Sequence, residues 1–261
     1  MGYAEEGYEF CEELIGRKTI DSIKQNMVRV MQQFCDVSPD DPDALDKGFA
    51  EITKQDRKLR GNVLKIFSRM ASLPLLLRDE KLEAKVRELG VEIPILQAYS
   101  IVCMEPGESR FLFLPHQDLK DRTSFESLVI WAPLSPCNGE GGIGVYPGSH
   151  KKGPIKHDLS PEGHLRVPDE AVRGFSKHEV VRFKETDCLI FSPYLVHWSV
   201  LTTGRKVRWT AIVKVDDGLS TGHLRQAIHP FAVSDFIDER TNEDRLKEAD
   251  RLRQETGYAA G

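Results

Sequence analysis

The sequence lacks the features that mark disulfide-rich, zinc-stapled or membrane-spanning proteins. It has five cysteines, an odd number, and no Cys-x-x-Cys pair, so we expect free thiols in a reducing compartment. No apolar run approaches the roughly 20 residues that a membrane-spanning helix needs. Residues 1–10 lack the basic and apolar regions of a signal peptide. We therefore expect a cytoplasmic protein with no membrane partner.

Positive charge is not in excess either. The formal net charge is −5, so the whole molecule would repel a phosphate backbone, and nucleic acid is not the expected partner. A local basic patch could still recognise a small anion. Hydrophobic residues make up 40% of the chain and charged residues 30%, which is typical of a folded globular protein.

Apolar spacing divides the chain into a helical part and a strand-rich part. Helical periodicity covers residues 20–34, 44–70 and 79–89, with Gly90 as the last stop signal. Residues 234–256 carry a charged helical pattern with Ser234 as its N-cap. We therefore predict one α+β domain with a mainly helical support region over 1–92, a β-core over 93–218 and a C-terminal extension with a helix over 219–261.

Eight short runs rich in Val, Ile, Phe and Trp predict the strands of the core. They cover residues 93–104, 111–114, 128–134, 144–146, 179–183, 188–191, 197–201 and 208–215. Strands this short, separated by turn residues, favour an antiparallel sandwich or barrel.

The triplet His116-Gln117-Asp118 is the strongest local motif. Residues two apart on a strand face the same side, so this imidazole and carboxylate could hold one metal ion together. Two histidines and one carboxylate leave open positions, which suits Fe(II) oxygen chemistry. Taken alone, the triplet is also compatible with an ordinary surface turn.

His197 is the candidate third ligand, and Arg208 changes how it is interpreted. A lone histidine in an apolar run is more often a core residue than a ligand. Arg208 opens the next predicted strand eleven residues later, and a buried arginine needs an anionic partner. Its guanidinium can bind a carboxylate in bidentate fashion. The alternative is a structural pair with an Asp or Glu of the chain.

Several motifs follow one another in a fixed order along the chain. They are His116-Gln117-Asp118, Trp131 within 128–134, Asn138-Gly139-Glu140-Gly141-Gly142, Pro147-Gly148-Ser149-His150-Lys151, His197 with Ser199, and Arg208. With this ordered set the chain resembles the phytanoyl-CoA dioxygenase family of Fe(II)- and 2-oxoglutarate-dependent oxygenases. The resemblance covers about residues 97–215, and although each motif alone is modest, the ordered set is specific.

The resemblance implies a double-stranded β-helix, a jelly-roll or cupin-like fold of two facing sheets with the iron at one open end. It implies that His116, Asp118 and His197 bind Fe(II) and that 2-oxoglutarate chelates the same ion. Arg208, helped by Ser199, would bind the far carboxylate of 2-oxoglutarate.

Two further residues are assigned to the cosubstrate by the resemblance. Trp131 would form the aromatic wall of its pocket, with ordinary core packing as the alternative, and Gln97 would face it as well.

The reaction implied is the use of O2 to convert 2-oxoglutarate to succinate and CO2 while a C–H bond of a small metabolite is hydroxylated. Asp118 favours hydroxylation or another oxidation, because related halogenases carry a small residue at that position. The sequence departs from the family pattern at Trp198 and over 200–205, which affects the expected shape of the 2-oxoglutarate pocket rather than the metal ligands.

Basic residues near the expected mouth suggest an anionic substrate group. Lys151 and Lys156, with Arg110 and Arg122, would attract it, although a solvated loop is the alternative for the lysines. Three other functions remain open: a non-enzymatic protein, which is either an iron and 2-oxoglutarate sensor or a structural β-barrel; an oxygenase of the nucleic-acid-repair type; and a zinc hydrolase. The acidic net charge disfavours the second, and the third would leave Arg208 without a role.

Overall fold

The computed structural model describes residues 2–107, 112–119, 126–135, 137, 142–160, 164–202 and 204–220. The helices are α1 Tyr3–Glu6, α2 Arg17–Met31, α3 Ala44–Gln55, α4 Arg57–Phe67, α5 Glu80–Glu88 and α6 Asp169–Arg173, with short 3-10 helices at Pro74–Arg78 and Ser149–Lys152. The strands are β1 Tyr8–Cys11, β2 Pro94–Met104, β3 Leu128–Pro133, β4 Ile143–Val145, β5 Asp158–Leu159, β6 Leu165–Arg166, β7 Glu179–Val181, β8 Cys188–Phe191, β9 His197–Ser199 and β10 Arg208–Asp217. Within these residues, no helix has both the length and the apolar character needed to cross a bilayer.

The strands form two main antiparallel sheets. The larger has the order β1-β8-β3-β10-β2 and the smaller the order β7-β4-β9, while β5 and β6 pair as a separate hairpin. Successive residues of each strand in the larger sheet point to opposite faces, and each face packs into its own hydrophobic core. On one face, Trp209 and Ala211 of β10 pack with the helices. On the other, Val129 and Trp131 of β3 pack with Ile143 of β4. Helices thus cover one face of the larger sheet, and the smaller sheet covers the other.

Trp209 fixes the orientation of β10. Its ring is 1% exposed and makes edge contacts with Phe49 at 4.9 Å and Phe67 at 5.9 Å between centroids. Its indole nitrogen donates to Asp46 at 3.2 Å. Because neighbouring residues of a strand face opposite sides, anchoring Trp209 among the helices directs Arg208 to the face between the two sheets.

The N-terminal part differs from the sequence prediction in two places. The single helix predicted over 44–70 is two helices, because Asp56 adopts an extended conformation and its side chain accepts from the backbone N–H of Lys58 at 2.8 Å, capping α4. The sequence predicts no strand before residue 93, yet β1 pairs with β8 at the edge of the larger sheet. Four residues are too few for periodicity to reveal a strand.

The core strands also depart from prediction. Residues 112–114, within the predicted strand 111–114, are not part of a regular strand, and the hairpin of β5 and β6 was not predicted. The C-terminal helix predicted over 234–256 lies outside the described residues.

Trp198 packs on the outer face of the smaller sheet. Its ring lies 4.8 Å from that of Tyr146 and covers Gly144, where an added Cβ would come within 1.9 Å of the indole. Trp198 therefore points away from the space between the sheets, and its departure from the family pattern does not place a bulky ring beside Ser199.

We predict that Gly144→Ala destabilises the protein by roughly 1–3 kcal/mol, because the new methyl group forces the indole of Trp198 out of its packed position. Urea unfolding measures the change. Gly61→Ala is the matched control, since a Cβ at this position of α4 meets nothing within 4 Å, and it should stabilise by about 0.5–1 kcal/mol. Equal stability of the Gly144 variant and the wild type would contradict the packing described.

Candidate metal centre and cosubstrate pocket

Three side chains from two separate segments converge on one point. One ligand atom each of His116, Asp118 and His197 lies within 4.8 Å of the others. The backbone brings them together: His116 and His197 exchange two N–H···O bonds of 2.9 and 3.0 Å, and the N–H of Asp118 donates to Pro193 at 2.9 Å. The segment 116–118 is thus held against 193–197 by an isolated bridge rather than by a regular strand.

Both histidines present the same nitrogen to the centre. Nδ1 of His116 lies 2.8 Å from the carbonyl oxygen of Leu114, and Nδ1 of His197 lies 3.0 Å from that of Leu195. Since a carbonyl only accepts, Nδ1 carries the proton and Nε2 keeps its lone pair. The two Nε2 atoms lie 4.0 and 3.8 Å from the carboxylate oxygens of Asp118. Bonds of this kind orient metal-ligating imidazoles.

Burial keeps both imidazoles neutral, the form that binds a metal. It lowers the pKa of His116 to about 3, with the neighbouring His197 adding to the effect. The pKa of His197 is lowered for the same main reason. Burial alone would raise the pKa of Asp118, but Lys214 and the two histidines outweigh it and hold that pKa well below its usual range. The site thus combines two neutral nitrogen donors with one carboxylate.

Lys214 is a residue of the site that was not predicted from the sequence. Its Nζ lies 3.3 Å from Oδ1 of Asp118, and its side chain is 16% exposed. On β10 it occupies the same alternating face as Arg208. In the sequence, the signal was a lysine between apolar residues of a predicted strand, which indicates a buried charge that needs a partner. Only the pairing of 116–118 with 193–197 shows that this partner is Asp118.

Arg208 lies between the two sheets. One terminal nitrogen donates to the carbonyl oxygens of Gly142 at 2.7 Å and Val200 at 3.0 Å. Its buried Nε has no hydrogen-bond partner among the residues that the structure describes. In the described part of the chain, no carboxylate lies within ion-pair distance, so the structural pair considered in the sequence analysis is not found there. A buried guanidinium held only by carbonyls can accept a carboxylate ligand.

The other predicted cosubstrate residues are placed as follows. The Trp131 ring lies 5.8 Å from the Arg208 guanidinium carbon and 4.5 Å from the Phe183 ring. Ser199 lies on the same face of β9 as His197, two residues on. Gln97 is the extra residue of a bulge in β2, opposite the step from Lys214 to the next residue of β10. The bulge lets Gln97 line a small cleft together with Asp118 and Lys214.

Of the four predicted substrate-binding residues, the structure describes only the two lysines. Arg110 and Arg122 lie outside the described residues. Lys151 is exposed and its ammonium lies 2.6 Å from Glu5 in α1. Lys156 is exposed on the loop before His157. Their role in substrate binding stays a prediction.

A glutamine between two of the ligands fastens the loop over 153–157. The side chain of Gln117 donates to Gly153 at 2.9 Å and accepts from the N–H of Ile155 at 2.8 Å. Its backbone N–H donates to Nε2 of His157 at 3.0 Å. That bond occupies the lone pair on Nε2 of His157, so this nearby histidine is not available as a fourth metal ligand.

We predict that acid destabilises the metal-free protein partly through His116. Between pH 6.5 and about 3 the unfolded chain binds a proton at this histidine that the folded chain does not. The free energy of unfolding should therefore fall with decreasing pH by up to about 1.4 kcal/mol per unit from this group. Urea unfolding of chelator-treated protein at pH 7.5 and 5.0 measures it. His116→Asn should show a shallower pH dependence.

The control for this prediction is His178→Asn, because His178 is exposed and its replacement should keep the wild-type dependence. An identical pH dependence in the His116 variant and the wild type would contradict the burial of a neutral imidazole.

Comparisons with known proteins agree with this architecture. The sequence profile of the phytanoyl-CoA dioxygenase family matches residues 3–208. Two curated relatives are each named 1-deoxypentalenic acid 11-beta-hydroxylase, from Streptomyces arenae and Streptomyces exfoliatus, and are 37% identical over 93 and 91 residues. These alignments cover 34% and 33% of this chain, and the chain spans only 30% of the length of either relative.

Solved structures share the fold at low identity. The non-heme monooxygenase ThoJ in its apo form superposes with a TM-score of 0.55 at 11% identity, over 82% of this chain and 75% of ThoJ. EctD from S. alaskensis with 2-oxoglutarate and 5-hydroxyectoine superposes with a TM-score of 0.55 at 18% identity, over 82% of this chain and 73% of EctD. The predicted α+β jelly-roll class is confirmed.

Proposed function

Because the chain belongs to the phytanoyl-CoA dioxygenase family, we propose that it is an Fe(II)- and 2-oxoglutarate-dependent dioxygenase that hydroxylates an unactivated C–H bond of a small metabolite. In this reaction, substrate, O2 and 2-oxoglutarate give the alcohol, succinate and CO2. One oxygen atom enters the substrate and the other enters succinate. Members of the family share oxygenase chemistry that uses iron and 2-oxoglutarate. That this chain hydroxylates its substrate, and that the substrate is a small metabolite, is what we propose.

The ligand chemistry supports iron. His116 and His197 offer neutral nitrogens and Asp118 a carboxylate, all within 4.8 Å of one another. This donor set, with positions left open, is the one that suits non-haem Fe(II). When bound, the metal would activate O2, with 2-oxoglutarate supplying two of the electrons that the reduction of O2 needs.

The observation that carries the proposal is the buried guanidinium of Arg208. The Arg208 side chain is 6% exposed and is held by two carbonyl oxygens, and within the described ranges its Nε has no partner. A cation buried in this way is unfavourable unless an anion joins it. The far carboxylate of 2-oxoglutarate provides that anion. A zinc hydrolase has no use for such a group.

The remaining pocket residues would orient the cosubstrate and keep water out. Trp131, beside Arg208, provides an aromatic wall, and Ser199 can donate a hydroxyl hydrogen bond to the same carboxylate. Gln97 lies near the metal ligands instead of near Arg208, in the cleft beside Asp118. Its role is therefore better assigned to the rim of the centre than to the far carboxylate.

The names of the relatives and the basic residues of the chain bear on the class of substrate. The curated relatives are named as hydroxylases of an organic acid, and EctD was solved with 2-oxoglutarate and 5-hydroxyectoine. We propose a small molecule with an anionic group, which Arg110, Arg122 or Lys156 would attract. We also propose a cytoplasmic location, supported by five cysteines that are all free.

The direct test is anaerobic addition of Fe(II) and 2-oxoglutarate to the purified protein. A weak visible metal-to-ligand band is expected, and on admission of O2 a slow release of succinate without added substrate. His197→Ala should abolish the band. No band in the wild type would remove the oxygenase proposal, whereas a band with no succinate from any of a library of small acids would favour the sensor.

We predict that Arg208→Met weakens 2-oxoglutarate binding by about 30-fold or more, because removing one member of a buried charged pair costs about 2–5 kcal/mol. Titration of the anaerobic visible band measures the dissociation constant. Arg205→Met is the matched control, because Arg205 is exposed three residues earlier and its loss should leave binding unchanged. Similar affinities in both variants would contradict the role of Arg208.

A further inference from the structure

A lysine beside a metal-binding carboxylate needs an explanation. Nζ of Lys214 lies 3.3 Å from Oδ1 of Asp118, with 16% of the lysine and 18% of the aspartate side chain exposed. A fixed positive charge at this distance repels a divalent cation, so it weakens metal binding unless it contributes something else. The ligand set alone, two histidines and an aspartate, does not require it.

The sheet holds Lys214 in this position. It lies in the longest ladder of the larger sheet, opposite Ala98 of β2 and Val129 of β3. The bulge at Gln97 begins at the next step of the ladder. With neighbours on both sides, the Cα of Lys214 cannot shift without breaking ladder hydrogen bonds, so the ammonium is delivered to Asp118 by the fold and not by a flexible loop.

The two oxygens of Asp118 have different surroundings. Oδ1 is the oxygen that Lys214 contacts, and it also lies 4.0 Å from Nε2 of His116. Oδ2 lies 3.8 Å from Nε2 of His197. A hydrogen bond between charged groups is strong enough to keep one oxygen engaged while the other remains available.

We propose that Lys214 is a positioning residue that occupies one carboxylate oxygen of Asp118, so that Asp118 offers the metal a single oxygen. The inference rests on the proposed function. Two nitrogens and one oxygen leave three places on an octahedral ion, two for 2-oxoglutarate and one for O2. A carboxylate that used both oxygens would remove one of these places, and Lys214 prevents this.

The inference predicts opposite effects on metal and cosubstrate, which a merely structural ion pair does not. In Lys214→Met, loss of the positive charge should strengthen Co(II) binding by about 10-fold, since the repulsion is gone. The freed oxygen of Asp118 should then join the metal, so 2-oxoglutarate binding to the Co(II) protein should weaken by about 10-fold. A structural pair would weaken both together.

The experiment uses the full chain loaded with Co(II), whose visible spectrum reports coordination number without turnover. Dissociation constants for Co(II) and 2-oxoglutarate and the spectrum are recorded for the wild type, Lys214→Met and Lys214→Arg. Lys214→Arg should keep the wild-type spectrum, because the arginine donates to the same oxygen of Asp118. Lys206→Met is the matched control, because Lys206 also pairs with an aspartate, Asp43 at 2.6 Å, but is 71% exposed. Its loss should change neither of the two dissociation constants nor the Co(II) spectrum.

A wild-type spectrum and wild-type affinities in Lys214→Met would overturn the inference, as would parallel weakening of both ligands. If the methionine variant does not fold, Lys214→Gln provides the test. Its uncharged amide still donates to Asp118, so this variant should keep the wild-type spectrum while binding Co(II) more tightly. A changed spectrum in Lys214→Gln would also overturn the inference. If the wild type itself binds neither Co(II) nor 2-oxoglutarate, the proposed function fails instead.

Discussion

The two backbone hydrogen bonds between His116 and His197 are the contact on which the site depends. They join segments about eighty residues apart in the chain and set the register in which Asp118 lies opposite Pro193. A shift by one residue would turn these side chains to the other face. Because the two residues form an isolated bridge, other contacts must keep His197 in place. Its strand β9 pairs with β4, and Phe191 packs against the His197 ring at 4.7 Å between centroids.

The space between the sheets contains an unusual distribution of charge for a protein interior. Arg208 and Lys214 lie on one face of a single strand, and Asp118 approaches the second of them from a facing segment. The apolar residues around them raise the free energy of every unpaired charge. With a divalent ion and dianionic 2-oxoglutarate in place, Asp118 and Arg208 bring the sum of charges to zero, and Lys214 adds one positive charge. Each charge therefore limits which ligands the pocket accepts.

The sequence predicted the fold class, and it predicted that His116, Asp118 and His197 lie together, because both are carried by local patterns and ordered motifs. Helical and strand periodicity located most core elements, and the order His116, Asp118, His197, Arg208 agrees with a site that converges in space. The break at Asp56 was hidden by apolar spacing that continues through it. Lys214, the β1 strand and the bulge at Gln97 were missed because each depends on which segment lies opposite, which one sequence does not specify.

Diffraction from crystals soaked anaerobically with Fe(II) and 2-oxoglutarate tests the central claim most directly. The account predicts one anomalous peak within bonding distance of Nε2 of His116, Nε2 of His197 and one oxygen of Asp118, with the far carboxylate of 2-oxoglutarate on the guanidinium of Arg208. An ion bound elsewhere, or Arg208 paired with a carboxylate of the chain while 2-oxoglutarate is absent from the pocket, would contradict it.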